Sequence, residues 1–127
     1  MIQTRTYDCS PTLNDTDVFN FCKTGYLMLE SVVDDAINRR TTDYIDKNGH
    51  HSLLNEDWFI EAVFHNPQAA GAVRSLLGAN FALPIKLPNH RVKGPMESQS
   101  WHRDGGSRFG PAVNHLQVFY YPQDTPP

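Results

Sequence analysis

A chain of 127 residues supports one domain with a modest core, and nothing in it argues for a second. Apolar residues at 39% and charged residues at 20%, with both signs interspersed, exclude the composition of a disordered chain. A net charge of -3 without a cluster of Lys and Arg along a helix face argues against nucleic acid as a partner, and every apolar run falls far short of the roughly 20 residues that cross a bilayer.

The N-terminal Met1-Ile2-Gln3-Thr4-Arg5 lacks the basic start and apolar stretch of a secretion signal, so a cytoplasmic location is expected. Cys9 and Cys22 have no CxxC spacing and read as free thiols, with Cys22 in the core. The first helix is expected over Asp15 to Thr24, where Val18, Phe21 and Cys22 share a face and Gly25 stands at the left-handed cap position. Tyr26-Leu27-Met28-Leu29 follows as a short strand-like run. Asp34 or Asp35 can open a second helix with Ile37, Thr41, Tyr44 and Ile45 on one side, and Asn48-Gly49 ends it.

A third helix is expected from an Asn55 cap, with Glu56 and Asp57 in its first turn and Trp58, Phe59, Ala62 and Val63 on its apolar face. A fourth has Asn66 at the cap, Pro67 in the first turn, Val73, Leu76 and Leu77 facing inward and Gly78 past its end. After Gly78 the pattern changes. Phe81 to Leu87 and Leu116 to Tyr121 read as strands around a stretch rich in Gly, Pro and Ser, and Pro84 and Pro88 place the first of them at an edge or bulge. The reading is therefore a single domain, helical over residues 1–78 and β over 79–127.

Chemistry concentrates in Trp101-His102-Arg103-Asp104-Gly105-Gly106. In extended backbone, alternate side chains share a face, so His102 and Asp104 can offer an imidazole nitrogen and a carboxylate oxygen to one metal. That donor pair suits Fe(II), and a third histidine would complete a facial triad with three coordination positions left for co-substrate and dioxygen. On its own a His-x-Asp tripeptide is common, and its plain reading is a salt link beside a loop.

The other histidines have bland explanations. His115 bounds the aromatic strand and is the alternative third ligand within the chain, although a histidine at a strand end is usually structural. His50-His51 reads as a solvated loop, and His65 suits the negative end of the third helix. His90 has no clear assignment. Lys86, His90, Arg91 and Lys93 form a basic stretch before the motif, which is also what a protected sheet edge looks like. Trp101 can line the pocket over a metal or simply pack against a turn. Arg103 is expected to pair with Glu97 or Asp124.

Taken in order, these features resemble the phytanoyl-CoA dioxygenase family. The resemblance rests on Phe19-Asn20-Phe21-Cys22-Lys23-Thr24-Gly25-Tyr26-Leu27-Met28-Leu29, similar to that family's opening helix, Gly-Tyr turn and first strand; on the helices before Leu76-Leu77-Gly78; on the Trp101 to Gly106 motif; and on Val118-Phe119-Tyr120-Tyr121-Pro122-Gln123-Asp124-Thr125, like its next core strand. It implies an α+β fold, with N-terminal helices packed on part of a double-stranded β-helix of the jelly-roll or cupin kind.

It also implies an Fe(II)- and 2-oxoglutarate-dependent oxygenase, with ascorbate as a supporting reductant. Such an enzyme splits 2-oxoglutarate to succinate and carbon dioxide with dioxygen while hydroxylating a carbon of a small-molecule substrate. His102 and Asp104 would be metal ligands, and Lys86 and Trp101 would contact the co-substrate. Halogenating relatives lack the ligand carboxylate, so the presence of Asp104 favours hydroxylation.

The family's distal histidine and its arginine for the far carboxylate of 2-oxoglutarate have no counterpart before Pro127. The expectation is thus an N-terminal part of such an enzyme, with an incomplete barrel, no turnover of its own and exposed strands prone to self-association. The other reading is a non-catalytic remnant that binds metal weakly or serves as an interaction surface.

Overall fold

The computed structural model describes residues 8–82, 97, 100 and 112–124. Helix α1 spans Asp15–Thr24 and is closed at both ends by its own residues. The Asn14 side chain accepts from the Asp17 amide at 2.9 Å, and the Asp17 carboxylate accepts from the Asn14 amide at 3.1 Å. Gly25, at φ 83°, donates its N–H to the Phe21 carbonyl at 2.7 Å, a conformation that carries little cost only for glycine. None of the residues of α1 is fully buried. Cys22 is exposed, against the expectation that it belongs to the core; Val18 and Phe21 on the same face are half-buried.

Residues 26–29 alternate between exposed Tyr26 and Met28 and half-buried Leu27 and Leu29, as a strand would, but form none. The alternation specifies which side faces the protein, whereas a strand also needs a ladder partner. Ser31 then turns the chain in the left-handed region, at φ 57°. Helix α2 follows over Asp35–Asn48, capped by Asp34 through the Ala36 amide at 2.7 Å and ended at Gly49. Its inward face is the expected one. Thr41 is buried and its hydroxyl donates to the Ile37 carbonyl at 2.9 Å, so it enters the core without an unpaired polar atom.

The third helical segment departs from a regular α-helix. Leu53–Asn55 is a 3-10 turn, helix α3 is the single turn Asp57–Phe59, and Ile60–Phe64 continues as a π-helical turn closed by the bond from the His65 amide to the Ile60 carbonyl at 2.8 Å. Asn55 is not the cap. Glu56 holds that position, and its side chain makes no capping bond. The wider π turn brings Phe59 and Phe64, five residues apart, into edge contact with ring centroids 5.8 Å apart.

Helix α4 spans Pro67–Leu77 as its Asn, Pro and Gly signals predict. Asn66 Oδ1 accepts from the amides of Gln68 and Ala69 at 3.1 and 3.2 Å, while its Nδ2 donates to the Val32 carbonyl at 2.7 Å, tying the start of α4 to the turn before α2. The most buried face is Ala70, Gly71 and Ala72; Val73, Leu76 and Leu77 are half-buried. The reason is the N-terminal segment at residues 10–13, which lies against Gly71. The Thr12 amide reaches the Gly71 carbonyl at 3.3 Å and Ser75 Oγ at 3.0 Å, and the Leu13 amide reaches the same Oγ at 3.0 Å. A Cβ on Gly71 would stand 2.7 Å from Thr12 Oγ1 and 2.8 Å from the Ser10 carbonyl oxygen.

Leu53, Phe59, Ala70, Ala72 and Phe81 are the buried apolar residues. The expected α+β arrangement, helices on part of a double-stranded β-helix, is not found: the regular elements among the described residues are all helical and none is a strand. The apolar run Leu116 to Tyr121 fits an extended chain and so reads as a strand, but it forms none, and its Tyr120 meets helix α2 rather than a ladder. Of the other expected strand, Phe81 and Ala82 are described and lie in no strand, and residues 83–87 fall outside the described set. Among the described residues no helix is long and apolar enough to cross a membrane.

Candidate metal centre

The residues that carry the proposed iron chemistry, His102 and Asp104, lie outside the described residues, as do Trp101, Lys86, His90, Arg91, Lys93 and Arg103. Their fit to a metal is therefore a matter of donor chemistry: one imidazole and one carboxylate two residues apart, a set that suits Fe(II). The flanking positions Glu97 and Ser100 are exposed. Among the described residues no group of three or more His, Cys, Asp or Glu side chains comes together.

The described histidines separate into three situations. His115 is exposed in the segment that follows the motif. His50 and His51 stack with centroids 3.8 Å apart and planes tilted by 40°. Loss of water around its ring, and then the neighbouring His51, hold His50 below the ordinary imidazole value. His65 Nδ1 lies 2.9 Å from Glu61 Oε1 one helical turn earlier, which gives it a carboxylate partner in addition to its place at a helix end.

Two polar clusters were not visible in the sequence. In the first, the Glu56 carboxylate accepts from Tyr44 Oη at 2.9 Å and from Trp58 Nε1 at 2.9 Å, while Tyr44 Oη also lies 3.0 Å from Ser52 Oγ. Tyr44 and Trp58 meet edge to face at 6.0 Å, and the Arg40 guanidinium carbon sits 4.0 Å above the Trp58 ring. With each carboxylate oxygen holding a donor, Glu56 is a clamp between α2 and α3. Its signal was mixed into an ordinary one, since an acid at the start of a helix reads as dipole compensation. Beside it, Arg39, Arg40, Asp43, Tyr44 and Lys47 line an open groove on α2 with charges of both signs.

In the second cluster, Tyr120 Oη donates to Asn38 Oδ1 at 2.7 Å and lies 3.5 Å from Thr41 Oγ1, and its ring is 6.1 Å from that of Phe59. Asn38 is held in turn by the bond from its Nδ2 to the Val33 carbonyl at 3.3 Å. Burial pushes the Tyr120 phenol above its ordinary value, and the bond with Thr41 opposes that in part. Tyr120 thus anchors the segment after the His-x-Asp motif onto α2 and α3. Its neighbours face outward: Phe119 is 60% and Tyr121 71% exposed, with their rings stacked at 6.3 Å. Comparison with protein-family models, with curated proteins and with solved structures gives no match, so the family resemblance rests on the residues quoted for it.

Proposed function

We propose that this chain supplies His102 and Asp104 as two ligands of a non-haem Fe(II) centre in a 2-oxoglutarate-dependent oxygenase that hydroxylates a small molecule. The observation that carries the reading is the Trp101-His102-Arg103-Asp104-Gly105-Gly106 segment, whose spacing and donor types match one side of a facial triad. The donor pair is read from residue chemistry, and the 2-oxoglutarate-dependent hydroxylation from the resemblance to the phytanoyl-CoA dioxygenase family; neither makes use of a β-helix. When bound, Fe(II) with 2-oxoglutarate and dioxygen supplies the oxidising equivalents: succinate and carbon dioxide leave, one oxygen atom enters succinate and the other enters the substrate C–H bond. The task of His102 and Asp104 is to hold the metal on one face, with Asp104 supplying the negative charge. Lys86 is the proposed partner of a co-substrate carboxylate, and Trp101 the proposed wall of the pocket.

The third imidazole and the cationic anchor for the far carboxylate are not assigned. The reading is tested by adding Fe(II), ascorbate and 2-oxoglutarate under air to the full-length protein, then measuring succinate. Asp104→Ala is expected to abolish succinate formation. Formation at the wild-type level in that variant would remove the iron assignment.

A second reading, a non-catalytic interaction segment, is favoured by the exposure of Phe19, Tyr26, Met28, Val118, Phe119 and Tyr121. It predicts that the full-length protein forms no succinate with either residue at position 104.

A further inference from the structure

We draw no further inference here: the strongest candidate, the exposed aromatic patch formed by Phe119 and Tyr121 on the segment anchored at Tyr120, carries nothing because nothing in the structure shows what covers it.

Discussion

The helical region at residues 15–77 and the segment at 112–124 are held by different kinds of interaction. In the first, the ends of α1, α2 and α4 are closed by neighbours in sequence: Asn14 with Asp17, Asp34 with Ala36, Asn66 with Gln68 and Ala69, and the three glycines at positions 25, 49 and 78. Each cap contributes about 1 kcal/mol whatever the rest of the chain does. The second is attached to the helices at Tyr120, through a phenol bond to Asn38 and ring contact with Phe59, while Val118, Phe119 and Tyr121 face outward. Local bonds make an element readable and self-defining. Attachment through Tyr120 makes its position depend on residues about 80 positions away.

Phe59 is where the two regions meet, and its removal should have the largest effect. The side chain is 1% exposed and touches the rings of Trp58, Phe64 and Tyr120. Phe59→Ala is expected to cost about 3–5 kcal/mol, through lost transfer free energy and the cavity left behind. In urea unfolding followed by circular dichroism, a loss below about 1 kcal/mol would show that the ring is not the centre of the core.

Gly71→Ala probes the helical region alone. In an open helix the change would gain up to about 1 kcal/mol from helix propensity. Here the new methyl meets Thr12 and the carbonyl of Ser10, and a backbone atom cannot rotate away. Overpacking of this kind costs about 1–3 kcal/mol, so the net sign should be destabilising. A more stable variant would mean that residues 10–13 are not held against α4.

Tyr120→Phe should have a smaller and more local effect. It removes the phenol bond to Asn38 and leaves an acceptor without that donor, at about 1 kcal/mol, while the ring still packs on Phe59. The expected result is unchanged helix content with faster proteolysis within residues 112–124. The phenol also has a pH signature of definite sign. Because its folded value is raised above the ordinary 10.0, unfolded chains release the proton first, and stability should fall as the pH rises from 10.0 towards the folded value. Tyr120→Phe should flatten that slope; an identical slope in the variant would assign it to other groups.

The contrast between the regions also explains what was legible in the sequence. The bounds of α1 and α4 are legible from Gly25, Asn66, Pro67 and Gly78 because the capping bonds at these positions reach no further than four residues. The irregular turns at 53–64 did not follow. There Glu56 is taken by Tyr44, twelve residues earlier, and by Trp58, so the capping role that local rules assign to this stretch is not realised.

The most buried face of α4 is also set by a distant partner. Leu76 and Leu77 carry more apolar surface than Gly71 and read as core residues, but the crossing chain at Thr12 needs the close approach that glycine permits. Leu116 to Tyr121 has a pattern compatible with a strand, and pattern alone does not say whether the surface beneath is another strand or a helix. For the candidate site, the sequence supplies donor identity and spacing in His102 and Asp104. What would bring a third ligand to them is long-range geometry, which no spacing in the chain encodes.

The most direct test of the iron assignment is Fe(II) binding by the full chain under anaerobic conditions, measured by equilibrium dialysis for the wild type, His102→Ala, Asp104→Ala and His115→Ala. The account predicts that the first two substitutions each weaken binding by at least about tenfold, as expected when a direct ligand is lost, and that replacing the exposed His115 changes nothing. Equal binding by wild type, His102→Ala and Asp104→Ala would contradict it.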